Sequence, residues 1–227
     1  SALTLGGGTL RLTGAGTQTV NGLTTIAGTG SSIGIGADNT LDLGALTSAG
    51  SGSSLNFNTA AGGADGDTVG SGVVLLSGQT AGSAINTAFT VTDSTGFGLA
   101  TVNASNQIIR LTTSDLLPAS GAGSGTDYRI DNNAGDSTTA GSAALVVSTS
   151  ESARSITVDT TAASGILTLA PGAVLSTDVW NFGGTGGHTY AIATDPGASG
   201  LSAATAGGML QINNYNSSTV SINAPIL

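Results

Sequence analysis

The chain has 227 residues, with 37 Gly, no Cys, no Lys, four Arg and one Glu, and its formal charge is −9 at pH 7. The absence of cysteine excludes disulfide scaffolds, zinc fingers and thiol catalysis. Four isolated arginines cannot neutralise a row of phosphates, which argues against nucleic acid, and no stretch approaches the roughly 18 apolar residues of a membrane span.

Residues that fill helix surfaces at little cost are scarce, so long helices are not expected. The chain instead shows short runs of alternating apolar and polar residues: "TLRLT" at 9–13, "SIGIG" at 32–36, "TLDLG" at 40–44 and "SLNFN" at 54–58. The pattern resumes with "VVLLS" at 73–77, "FTVT" at 89–92, "IIRLT" at 108–112, "YRID" at 128–131 and "ALVVS" at 144–148. It continues with "SITVD" at 155–159, "ILTLA" at 166–170, "VWNFG" at 179–183, "TYAIA" at 189–193, and the closing runs "MLQIN" and "TVSIN". Gly, Ser, Asn or Asp bounds each run, which marks a succession of short strands.

Many runs carry only two inward side chains, such as Leu41 and Leu43 or Ile156 and Val158. The Asn-Gly hairpin signal occurs once, at Asn21 and Gly22. A sandwich built on hairpins fits poorly. The pattern predicts an all-β fold, a right-handed parallel β-solenoid with short strands and glycine-rich corners, running as a single segment over 1–227. Coils of about 20 to 25 residues would give roughly ten turns. The gaps at 59–72 and 113–127 are expected to project from corners as loops, and Leu227 is expected to lie on an open strand edge.

Segments such as "LTLGGGTLRLTGAGTQTVNGL", "SGILTLAPGAVLS" and "GGMLQINNYNSSTVSINAPIL" resemble the autotransporter-associated β-strand repeat proteins. The resemblance implies a β-helix passenger region of a large exported bacterial surface protein, outside the cell or on its outer surface. It implies no catalytic residues. The function expected is therefore structural: an extracellular solenoid of a cell-surface or filament-forming protein, not an enzyme, associating end to end through its open edges. The alternative is an adhesin whose loops bind cell-surface glycans or host surfaces; a polysaccharide-degrading β-helix enzyme has the least support.

Candidate sites are few. "GGADGDTVG" at 62–70 partly resembles the calcium-binding nonapeptide of repeats-in-toxin proteins: Gly62, Gly63, Asp67 and Val69 fit, whereas Asp65 stands where that pattern has glycine. Such sites need tandem copies and this one is single, so Asp65 and Asp67 are a weak calcium candidate and a solvated loop is preferred; no other cofactor is expected. Asp127, Arg129 and Asp131 alternate onto the outer face of "DYRID" if Tyr128 and Ile130 point inward, where they read as a surface ion pair more than as a glycosidase acid and base. Asp38 and Asp42 are the other close pair. His188 has no nearby acid or thiol in sequence and reads as a polar residue at a strand start. The triplets Thr17–Thr19 and Thr90–Thr92 read as exposed strand residues, and Trp180 with Phe182 as core or end-cap aromatics. "INNYN" reads as an asparagine ladder at a corner.

Overall fold

The computed structural model describes residues 1–36, 38–59, 72–131, 144–197, 199–216 and 218–227. Among these the chain is all β, without a helix, and its parallel sheets stack as a β-solenoid of about seven turns. The chain divides into two compact units, Ser1–Thr113 and Ser114–Leu227. The turns are fewer than sequence spacing suggests because several are lengthened. Asn56 bonds to Thr90 across 34 residues, for example, whereas Asn181 bonds to Thr157 across 24.

The first unit holds strands β1 (Leu3–Leu5), β2 (Gly8–Leu12), β3 (Gly16–Thr19), β4 (Leu23–Thr25), β5 (Gly30–Ile35) and β6 (Asn39–Ala49). They are followed by β7 (Ser54–Asn58), β8 (Val73–Ser77), β9 (Phe89–Asp93), β10 (Gly96–Val102) and β11 (Ile108–Arg110). Its coils are three-sided. β1, β4 and the end of β6 stack on one side, β2, β5, β7 and β9 on the second, and β3, the start of β6 and β8 on the third. All of these pairings are parallel. β6 is long because it passes through a corner, pairing with β3 at Asn39–Asp42 and with β4 from Leu46.

Register places like residues over like. Leu10 pairs with Ile33, Ile33 with Phe57 and Phe57 with Val91, a column of apolar side chains in which Ile33 and Phe57 are fully buried. A period-two strand puts alternate side chains on one face, so two inward residues per strand suffice once coils stack. The corners use glycine where the backbone demands it. Gly44 has φ 66°, and a Cβ there would lie 3.0 Å from Gly22 N and 3.1 Å from Val20 O. Gly22, directly above it, has φ 113°, and its N–H donates to Leu43 O at 2.9 Å. No side chain fits between these turns without moving backbone.

The parallel stack of the first unit ends in a device that the sequence did not announce. β9 turns back through Asp93–Gly96 into β10, which pairs antiparallel with β9 and with β11. Ala100, Val102 and Ile108 join the unit's core, and every residue of β10 is buried. The buried hairpin strand β10 covers the end of the stack and leaves only the three-residue β11 at the edge of that sheet.

The second unit holds β12 (Asp115–Leu116), β13 (Asp127–Asp131), β14 (Ala144–Val147), β15 (Glu151–Asp159) and β16 (Gly165–Leu169). β17 (Val174–Gly183), β18 (Tyr190–Thr194), β19 (Gly200–Ser202), β20 (Gln211–Asn214) and β21 (Val220–Ile222) complete it. All of these pairings are parallel, again on three sides. Its central column is Tyr128, Ile156, Trp180 and Ile212. Trp180 and Phe182 are fully buried and stack with ring centroids 5.5 Å apart and planes 4° apart, with Tyr190 tilted against Phe182 at 6.0 Å. They are core residues, as their shared face predicts.

Two expectations need correction. Residues 113–127 do not simply project: Leu117 is fully buried in the core and Ala122 packs against it, because an apolar pair in this segment covers the end of the lumen. The closing strands are Gln211–Asn214 and Val220–Ile222, so Asn213 and Asn214 belong to a strand and Met209 is exposed instead. Beyond β21, Leu201 N donates to Pro225 O and Leu227 N to Leu201 O, which places Ile226 beside Leu201.

Candidate functional site

The richest polar constellation lies at one corner of the second unit, where sequence reading placed Asp127, Arg129 and Asp131. Tyr128 and Ile130 do point inward and are buried. The three charged residues do not form one cluster. Arg129 donates from Nη1 to Asp131 at 2.8 Å and from Nε to the carbonyl of Ser114 at 3.0 Å. Asp127 instead bonds to the next coil: Arg154 donates to it through Nε at 2.8 Å and through Nη2, and Ser155 through Oγ at 2.8 Å. Asp127 is buried while the Arg154 side chain is 53% exposed, so the guanidinium closes a buried carboxylate from the solvent side. The bond to Asp127 raises the Arg154 pKa.

Arg154 sits where β15 turns a corner, between the two stretches that pair with β17. In the coil beyond, the corner residue is Asp178, whose carboxylate accepts from Thr205 N at 2.9 Å and Thr205 Oγ1 at 2.7 Å. The carboxylates thus act as rungs between successive turns.

Glu151, the chain's one glutamate, was not singled out by sequence. Its carboxylate accepts from Gly121 N at 2.9 Å, Ala122 N at 2.6 Å and Thr149 Oγ1 at 2.6 Å, and the residue is buried. Burial, the largest influence, pushes the carboxyl up, but the bonds from Thr149, Gly121 and Ala122 together outweigh it and hold the pKa below the ordinary glutamate value. A solitary Glu in a chain that otherwise uses Asp was the available signal.

In the first unit an open cleft of about 440 Å³ is lined by residues that include Val91, Asp93, Thr95, Gln107 and Arg110. Its charged groups are bound to one another. Arg110 donates to Asp93 at 3.1 Å and to Thr95 Oγ1 at 2.7 Å, while Asp93 also accepts from Thr95 N and Oγ1. Burial raises the Asp93 pKa, yet the Thr95 bonds and the Arg110 charge outweigh it and leave it lowered. The pair fixes the β9–β10 turn against β11.

The remaining candidates separate. Asp42 accepts from Gly44 N at 3.0 Å in the corner turn, and Asp38 is an exposed turn residue at φ 61°. His188 precedes β18, half-buried, and its carbonyl accepts from Asn216 Nδ2 at 2.8 Å. Thr17 and Thr19 are exposed as expected. Thr90 and Thr92 are buried, against expectation, and both donate to Asn56 Oδ1, at 3.1 and 3.2 Å, because the asparagine of the preceding coil stands between them. Asp65 and Asp67 lie outside the described residues. Among the described residues no group of three His, Asp or Glu side chains could hold a metal ion.

The asparagine ladder exists in a form sequence reading only partly placed. Thr157, Asn181 and Asn213 occupy one register row, all buried, with Asn213 donating to Asn181 at 2.9 Å and Asn181 to Thr157 at 3.4 Å. That row lies within the strands. At the corner, Asn216 spans three turns, donating to Thr160 Oγ1 at 3.0 Å and to His188 O.

No known protein family matches the chain, and comparisons with curated proteins and with solved structures find no match. Acid–base cleavage of a glycan needs two carboxylates facing a substrate a few ångström apart. Asp93, Asp127, Asp131, Asp178 and Glu151 are bonded within the scaffold: Asp127, Asp178 and Glu151 accept from residues about one turn away, Asp93 within the β9–β10–β11 hairpin and Asp131 from Arg129 on its own strand.

Proposed function

We propose that the chain is a structural β-solenoid of a bacterial cell-surface or filament-forming protein, extracellular and non-catalytic. The observation that carries this reading is the use of polar chemistry between coils. Asp127–Arg154, Asp178–Thr205, Asn181–Asn213 and Asn216–Thr160 each join residues from different turns. Stacked backbone ladders reinforced by such rungs give stiffness without disulfides, which suits a load-bearing stalk or fibre.

End-to-end association belongs to the same proposal. Ile212, Ile226 and Leu227, at the end of the second unit's stack, are exposed large apolar residues beside strand edges, a surface on which a further coil can stack. Electron microscopy of the purified chain across a concentration series tests this: regular fibres are expected, and discrete monomers at high concentration would overturn the association. Two assays test the rest of the reading. Specific binding on a glycan array would move the function to adhesion, and release of reducing or unsaturated sugars from polysaccharide would contradict the non-catalytic assignment.

A further inference from the structure

The first unit seals one end of its stack with the antiparallel β9–β10–β11 hairpin. The second unit begins differently. The segment Leu117–Thr126 crosses the end of its lumen with almost no strand pairing of its own. Leu117 is fully buried and its N–H donates to Arg129 O at 2.9 Å, while Ala122 packs on the core. Gly123 N donates to Tyr128 Oη at 2.8 Å, and Ala119 O accepts from Ser148 N at 3.0 Å.

One side chain holds two consecutive amides at the middle of this strap. The consecutive N–H groups of Gly121 and Ala122 converge on the two carboxylate oxygens of Glu151, one bond to each. Gly121 adopts φ 85°, which turns the two amides to the same side and makes a small anion-holding nest. At the far end of the strap, Thr126 O accepts from Arg154 N at 2.9 Å, beside the Asp127–Arg154 pair.

We infer that Leu117–Thr126 is a cap latched by the Glu151 carboxylate, and that acid releases its middle, uncovering Tyr128 and the core beneath Ala122 while the rest of the second unit, with β12 paired to β13, stays folded. The latch depends on charge in one direction only. The ionised carboxylate accepts from both amides and from Thr149 at once, whereas a protonated carboxyl keeps one good acceptor oxygen and can donate only to Thr149 Oγ1, so the paired amides of Gly121 and Ala122 lose one of their two strong acceptors. Among the described residues, the groups bearing on Glu151 are Thr149, Gly121 and Ala122, none of them a cation, with the apolar Leu175 beside it on β17. Only these hydrogen bonds, and no neighbouring cation among the groups that bear on it, oppose protonation of Glu151. The nearest ion pair in the same corner, Asp127–Arg154, anchors the end of the strap and not its middle.

The sign follows from linkage. A glutamate whose folded pKa lies below its unfolded value contributes stability that is present in full above the ordinary value, about 4.3, and lost as pH falls through the lowered folded value. The latch is closed at neutral pH and opens under stronger acid than an ordinary glutamate requires.

Amide hydrogen exchange on the full chain, read by NMR as protection relative to intrinsic rates, tests the inference. At pH 6 the Gly121 and Ala122 amides are expected to be protected, and Glu151→Gln is expected to lower that protection at least tenfold while leaving Leu167 and Ile192 unchanged. On acidification of the unsubstituted chain, Gly121 and Ala122 should lose protection before Leu167 and Ile192. If Glu151→Gln fails to fold, the acid titration alone decides. Protection at Gly121 and Ala122 that is indifferent to Glu151→Gln, or that disappears together with Leu167 and Ile192, would overturn the latch.

Discussion

Asp127 and Tyr190 show how differently buried polar groups can be treated in one chain. Asp127 accepts two bonds from Arg154 and one from Ser155. Asp127→Ala removes all three, but the half-exposed Arg154 can turn to water, so the loss should be about 1–2 kcal/mol in a urea melt and not the larger cost of stranding a fully buried charge. Tyr190 is buried within the aromatic core, where burial pushes its phenol pKa up, and its hydroxyl has no protein partner among the described residues. Tyr190→Phe should therefore leave stability unchanged or raise it by up to about 1 kcal/mol, a result opposite to that expected for a tyrosine with a bonded hydroxyl. Asn181 sits between Thr157 and Asn213, so Asn181→Ala takes the acceptor of Asn213 Nδ2 and the donor to Thr157 Oγ1 and should cost about 1–3 kcal/mol, measurable as a shift in melting temperature.

At the scale of elements, the alternating runs named most strands correctly because two inward residues bounded by turn residues is a local pattern. "SLNFN", "SITVD" and "VWNFG" all fall on strands, with Phe57, Val158 and Phe182 buried. What local pattern could not reveal was the partner in the next coil. Asp127 lies two residues from Arg129 yet bonds to Arg154, 27 residues away, and no constant period in the sequence marks that distance. The hairpin at Asp93–Gly96 is hidden for a related reason: "DSTG" is an ordinary turn, and only the antiparallel pairing of β9 with β10 distinguishes it from a solenoid corner. Alternation marks Phe89 and Val91 as inward and so points Thr90 and Thr92 outward, and nothing local shows that the opposite face is covered as well. The hairpin is held by Asp93, Thr95 and Arg110, so Arg110→Ala should raise amide exchange across β10 and β11 before it affects β5 and β7.

For the whole molecule, charge and stacking act together. Arg110, Arg129 and Arg154 are in ion pairs, with Asp93, Asp131 and Asp127, and four Arg against thirteen acidic residues leave the chain a formal charge of −9. Mutual repulsion opposes association at neutral pH and vanishes near the isoelectric point of about 4.1. Sedimentation velocity should show association increasing as pH falls toward that value and decreasing again with added salt only where charge attraction contributes. The central claim beneath all of these is that successive turns stack in parallel with a fixed register. The chain has no cysteine, so paired cysteines can be introduced without background. Thr17 pairs with Thr40 on the outer face of the first unit, and Thr168 with Ala193 in the second. Spin labels on Thr17→Cys/Thr40→Cys and on Thr168→Cys/Ala193→Cys should each show strong dipolar broadening, as expected for neighbouring strands about 4.8 Å apart. Uncoupled spectra from both pairs, in chains that remain folded, would contradict the solenoid.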